Sequence, residues 1–200
     1  MPGPRAWACA LLAATVEACQ LWPAQPAPAA WRSQAHAWER TTHWEANGRF
    51  AVRYGSTSEQ GTLTWQQQGT HYTLLLSSPW AQGGIALEVS PRGAQLRSAD
   101  GQRRYADDPE ALLTQYIGWP LPVTALGYWL RALPQPGHSY RAHWDAQDRL
   151  QHLSQAGWEI TYTRYAADTL RPDKLVLTHA DLEARIVLDE WAVPTPQPYP

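Results

Sequence analysis

Cysteine is absent from the body of the chain: the only two are Cys9 and Cys19, both within the first twenty residues. A body disulfide and a thiolate metal site are therefore excluded from the folded part. Lysine occurs once, at Lys174, and Lys and Arg nowhere form a run. Nucleic-acid binding, which needs clustered cations along a phosphate backbone, is not expected. Strong attraction to an anionic lipid surface is not expected for the same reason. No apolar run approaches the ~20 residues that a spanning helix needs.

The catalytic and metal signatures are missing too. The seven histidines include no His-Glu-x-x-His pair, and His138 and His143 have no cysteine or carboxylate companion at ligand spacing. No Gly-x-Ser-x-Gly elbow and no glycine-rich phosphate loop occurs. Asp107-Asp108 reads as a helix cap, and Asp189-Glu190 point to opposite faces of a strand. No enzyme, cofactor or metal site is expected.

What is abundant is tryptophan. Twelve Trp and nine Tyr stand against one Phe. Such aromatics suit cavity walls and membrane interfaces, but also ordinary β-cores. With 200 residues, 44% of them hydrophobic and a net charge of -2, the chain fits one domain.

The N-terminus reads as an address. Arg5 precedes an apolar stretch, residues 6–16, of export-signal length. Val16-Glu17-Ala18-Cys19 resembles a bacterial lipobox, with Glu17 in place of the usual small or β-branched residue. Residues 1–18 are then a lipoprotein signal peptide and Cys19 is the lipidated residue. Gln20, where Asp would favour inner-membrane retention, implies delivery to the outer membrane. Residues 19–29 are rich in Pro and Ala and read as a tether.

Residues 30–193 form the domain. Trp31, Ala35, Trp38 and Thr42 recur at helical spacing, which predicts a helix over 30–45 ended by Asn47-Gly48. Period-two alternation then predicts antiparallel strands through Phe50, Val52 and Tyr54; Leu63 and Trp65; Tyr72, Leu74 and Leu76; and Ile85, Leu87 and Val89. Gln68-Gly69-Thr70 and Asp100-Gly101 mark turns. Asp108 caps a helix with Pro109 first and Gly118 last, burying Leu112, Leu113, Tyr116 and Ile117. A second short helix from Thr124 carries Leu126, Trp129, Leu130 and Leu133. Strands resume over 140–144 and through Trp158, Ile160 and Tyr162; Leu175 and Leu177; and Leu182, Ala184, Ile186 and Leu188. The Pro-rich residues 194–200 read as a disordered tail. The sum is a mainly β domain, a curled antiparallel sheet with short helices against its apolar face.

Several segments together resemble the LolB family, the outer-membrane partner of the LolA lipoprotein carrier. These are Gly48-Arg49-Phe50-Ala51, Leu74-Leu75-Leu76-Ser77-Ser78-Pro79-Trp80 with Ile85-Ala86-Leu87-Glu88, Gly101 to Asp108, Gly118-Trp119-Pro120-Leu121-Pro122, Tyr128 to Pro134, and Trp158 to Tyr162. The resemblance implies an incomplete antiparallel β-barrel with an α-helical lid over an apolar cavity. It implies a monomer that takes lipoproteins from a LolA-like periplasmic carrier by their acyl chains. The cargo then goes to the outer membrane.

Cavity residues are then expected on the inner strand faces. Those of the first strands are Phe50, Val52, Trp65, Leu74 and Leu76. Next come Ile85, Leu87 and Leu96, and the late strands add Trp158, Ile160, Leu175, Leu177, Ile186 and Leu188. Lid residues are expected at Leu112, Tyr116, Ile117, Trp129 and Leu130. The family's membrane-transfer loop carries an exposed apolar residue, and Trp80 holds the matching position. By periodicity alone a dry, filled β-core is the favoured reading, and only the resemblance makes these faces cavity wall. A surface lipoprotein that binds a small apolar ligand, or acts as scaffold, also stays open.

Overall fold

The computed structural model describes residues 26–78, 84–167 and 169–193. Cys19, Trp80 and the tail 194–200 lie outside the described residues.

Helix α1 (Ala29–Arg40) comes first and buries Trp31 and Trp38, which lie two turns apart on one face. The expectation of a helix continuing to residue 45 is corrected. Thr41 leaves the helix in extended backbone, and strand β1 (His43–Tyr54) follows at once. Asn47-Gly48 is a β-bulge rather than a helix stop. Across from it, on β11 (Leu182–Ala192), Asn47 faces Glu190 and Gly48 faces Leu188, so Asp189 is the extra residue. Glycine is needed here because an added Cβ would lie 2.2 Å from the Val187 carbonyl oxygen. The bulge turns Asp189 onto Arg49, which it binds through both oxygens at 2.8 and 3.0 Å.

From β1 the chain meanders through β2 (Thr57–Gln68), β3 (His71–Ser77), β4 (Ile85–Ser90), β5 (Gly93–Ser98) and β6 (Arg103–Ala106). Helices α2 (Pro109–Ile117) and α3 (Val123–Trp129) interrupt it. Strands β7 (Tyr140–Trp144), β8 (Leu150–Gln155), β9 (Trp158–Tyr165), β10 (Pro172–His179) and β11 complete it. The eleven strands of the described residues form one antiparallel sheet in the order β6-β5-β4-β3-β2-β1-β11-β10-β9-β8-β7. The first and last strands thus pair at its centre, and β6 and β7 are its edges among the described residues. A strongly twisted open sheet of this width curls, because twist accumulates from strand to strand. The result is an incomplete barrel whose inner face carries the alternating apolar residues.

The helices cover that inner face. The Asp108 side chain accepts from the backbone N–H of Glu110 at 2.8 Å and of Ala111 at 3.2 Å, and Gly118 closes α2 with φ 83. Helix α3 starts at Val123 rather than Thr124 and ends at Trp129, so Leu130 caps it and Leu133 lies in the turn beyond. Strand β8 has no counterpart in the sequence reading. Its inward residues are Leu150, Leu153 and Gln155, and the buried glutamine conceals the apolar pattern.

Candidate functional site

Register gives the barrel two unlike ends. Strand β1 runs from Trp44 near its start toward Phe50 and Val52, so its antiparallel neighbours place Trp65 near Trp44 and Glu59 opposite Val52. The first end is aromatic and closed. Trp44 stacks on Trp65 with ring centres 5.8 Å apart and planes 3° from parallel, and Trp65 stacks on Tyr72 at 4.6 Å. Trp191 and Trp38 of α1 pack on the same group. The ring of Trp65 is the floor on which α3 rests: an added Cβ on Gly127 would meet it at 2.6 Å.

The C-terminal end of α3 is tied to this closed end by polar contacts. The Trp129 indole N–H donates to Gln155 Oε1 at 3.1 Å, and the Tyr162 hydroxyl donates to the Trp129 carbonyl at 2.9 Å. Gln155 also accepts from the Gln135 N–H at 2.8 Å and donates to its carbonyl at 2.9 Å. Trp31 of α1 donates to the Ala132 carbonyl at 3.1 Å. Arg131 lies over the faces of Trp38, Trp44 and Tyr128, 5.1 to 5.8 Å from the ring centres. Burial lowers its pKa to about 10, so it remains a cation at neutral pH.

The second end is open. There a cavity of about 630 Å³ lies between the sheet and the last turn of α2. Phe50, Leu76 and Ile85 wall it from the sheet, and Tyr116, Ile117 and Trp119 wall it from the helical side. Glu59, Ser78, Ala99 and Asp100 complete the lining. The Ser98 hydroxyl and the Gln102 N–H hold the Asp100 carboxyl below the usual range, so it is ionised at neutral pH. The site is therefore a recess of mixed character, with aromatic and aliphatic walls and carboxylates at its edge. Among the described residues no group of three His, Cys, Asp or Glu is placed to hold a metal.

Of the residues expected from sequence, Phe50, Leu76, Ile85, Tyr116 and Ile117 meet in this cavity. Val52, Trp65, Leu74, Leu87 and Leu96 are buried in the packed interior, as are Trp158, Ile160, Leu175, Leu177, Ile186 and Leu188. The lid residues Leu112, Trp129 and Leu130 fill the barrel above them. This structure therefore has its lid side chains inside the barrel, with the cavity at the open mouth. Trp119 and the polar edge were not anticipated. Trp119 sits in a Pro-rich link that reads only as a connector, and Glu59 lies in a stretch with no apolar residue to mark which face it takes.

The chain is similar to known proteins over most of its length. The family model described as "Outer membrane lipoprotein LolB" matches residues 42–191. The outer-membrane lipoprotein LolB of Pseudomonas paraeruginosa is 38% identical over 164 residues, 80% of each chain. That of Chromohalobacter salexigens is 37% identical over 163 residues, 80% of this chain and 76% of the relative. Among solved structures, a putative outer-membrane lipoprotein-sorting protein domain from Vibrio parahaemolyticus superposes with a TM-score of 0.50 at 9% identity. It covers 84% of this chain and 92% of that one. A DUF1329 family protein from Desulfovibrio piger gives 0.51 at 7% identity, over 86% and 95%. At such identities the structures speak for the fold alone.

Proposed function

The chain belongs to the LolB family of outer-membrane lipoproteins, and we propose that it receives acylated lipoproteins from a LolA-like carrier and passes them into the outer membrane. Its work is binding and release rather than catalysis, and it acts as a monomer. The observation that carries this reading is the cavity of about 630 Å³ between the curled sheet and the end of α2, walled by Phe50, Leu76, Ile85, Tyr116, Ile117 and Trp119.

Size decides how the site is used. Small-molecule pockets span roughly 300–1,000 Å³, so this cavity accepts the end of one acyl chain and not the several of a triacylated protein. Further chains need the space that α2 and α3 now fill with Leu112, Leu126, Trp129 and Leu130. Helix α3 is pinned at the closed end by Gln155, Tyr162 and Trp31. The mouth side, at Tyr116 to Trp119, is the side that swings. The inner faces bearing Val52, Trp65, Leu74, Leu87 and Leu96 then become acyl-chain wall, as do those bearing Trp158, Ile160, Leu175, Leu177, Ile186 and Leu188.

Energetics give the transfer a direction. Each buried methylene contributes ~0.8 kcal/mol, so a chain only partly covered is held less tightly than in a bilayer that covers all of it. Cargo therefore moves on to lipid without a coupled reaction. Cys19 is the lipid anchor, and Trp80 on the β3–β4 connection is the residue that touches the membrane during release.

The test is a transfer assay with the full chain and a purified LolA-type carrier loaded with acylated lipoprotein. Cargo is expected to leave the carrier for this chain and then to enter liposomes. A loaded carrier that keeps its cargo in the presence of the folded chain overturns the reading.

A further inference from the structure

Some surface arginines of this domain are paired with carboxylates and others are not. Arg49, Arg53, Arg149, Arg164 and Arg185 each lie on a carboxylate, at 2.7 to 3.4 Å. Arg97 on β5 and Arg103 on β6 lie directly opposite each other on the outer face, both exposed and with no carboxylate partner among the described residues. Two like charges facing across a strand pair destabilise a sheet. Here they are also at its free edge, since β6 is the terminal strand.

Their position in the barrel is specific. Cross-strand register aligns Leu75 of β3, Ala86 of β4, Arg97 and Arg103 in one row across the outer face. The next pair toward the open end is Leu76 with Ile85, and both line the cavity mouth. The row thus runs along the outside of the mouth. It holds an exposed apolar residue, Leu75 at 37% exposure, and Tyr105 of the same edge strand is 68% exposed. Apolar, phenolic and cationic side chains on neighbouring rows of one face match the layering of a bilayer surface.

We propose that the Arg97–Arg103 pair docks the mouth of the barrel on anionic phospholipid headgroups, so that the cavity opens toward the bilayer that receives the cargo. Linear sequence concealed this pair. The residues are separated by a hairpin, and no run of basic residues exists, but antiparallel pairing places the two arginines at opposed positions of neighbouring strands. Each planar fork suits a phosphate oxygen pair. The inference rests on the receptor reading for its purpose but not for its measurement.

The test is co-sedimentation of the full chain carrying Cys19→Ala, so that no acyl anchor contributes. Vesicles are phosphatidylcholine alone or equal parts phosphatidylcholine and phosphatidylglycerol. Arg97→Gln/Arg103→Gln is expected to lower affinity for the anionic vesicles about fivefold per arginine, and about twenty-five-fold for the pair. Affinity for the neutral vesicles should not change. Arg97→Lys/Arg103→Lys should keep most of the binding, and Arg40→Gln/Arg141→Gln, which removes equal charge elsewhere, should lose far less. An equal loss in both Gln pairs, or none in the first, overturns the proposal. So does normal vesicle binding with new self-association, because the arginines would then only protect a sheet edge. Carrier-to-chain transfer in neutral vesicles, run alongside, separates the two ideas: its failure removes the receptor reading and leaves the headgroup result standing.

Discussion

Gly127 of α3 rests on the ring of Trp65, so closely that a Cβ would come within 2.6 Å of it. The ring has no room to retreat, because Trp44 and Tyr72 stack on its two sides. Gly127→Ala therefore sets two effects against each other. Helix propensity favours Ala by up to ~1 kcal/mol, while overpacking a filled core costs ~1–3 kcal/mol. Overpacking wins, and the variant should lose about 1 kcal/mol by urea denaturation. Its lid should also sit less deeply, which increased binding of an apolar fluorescent probe would report.

Gln155→Leu should be worse than its conservative size suggests. Gln155 is 2% exposed and accepts from both the Trp129 indole and the Gln135 backbone. Leucine leaves the buried indole donor without a partner, at ~1–3 kcal/mol, and removes the acceptor of the half-buried Gln135 N–H as well. A loss of more than ~2 kcal/mol is expected by chemical denaturation. A loss below half of that would show that α3 is not held by this side chain.

Alkaline pH should unfold the domain cooperatively. Burial raises the pKa of Tyr72 to about 12 and pushes those of Tyr162 and Tyr165 well above the ordinary tyrosine value. Unfolded tyrosines ionise near ~10, so above that pH the folded state holds more protons and loses stability as pH rises. Arg131 works in the opposite sense. Its folded pKa is about 10 against an ordinary 12.5, so stability rises with pH across that interval. Each group contributes at most ~1.4 kcal/mol per pH unit, and three falling terms outweigh one rising term. Tyrosinate absorbance and circular dichroism should change together above pH ~10.

Much of this fold was legible because burial and chemistry agreed along the chain. The alternation through Phe50 and Val52, and the Asp108–Pro109–Gly118 signature of α2, led to the right elements. Misreadings came where one residue served a tertiary purpose. Gly48 has the look of a helix stop, yet it is glycine because β11 passes 2.2 Å from where its Cβ would be. Gln155 hid β8 because its polarity serves Trp129 and Gln135. The site was legible only in part. Periodicity tells which face of a strand is inward, but not which inward residues meet open volume and which meet a lid. That depends on where α2 ends and which way Trp119 turns.

Acceptance and release of cargo should separate by mutation. Ile117 is half-buried at the end of α2 and lines the cavity, so Ile117→Asp should fold but take cargo from the carrier at least about tenfold less well, since a desolvated carboxylate meets the acyl chain. Trp80→Glu should accept cargo normally and slow its entry into liposomes. Unchanged insertion at equal protein level would remove Trp80 from the membrane step.

More than one acyl chain can enter only if the mouth end of α2 swings out of the barrel while α3 stays pinned at the closed end. Because residues 30–193 contain no cysteine, spin labels can be placed on introduced cysteines at Gln115 of α2 and Gln60 of β2, both exposed near the mouth, in a chain carrying Cys9→Ala and Cys19→Ala. The distance between them, measured before and after loading with acylated lipoprotein, should lengthen and broaden on loading. A loaded protein whose label distance stays at its unloaded value would contradict the claim, because cargo would then be held without the lid moving.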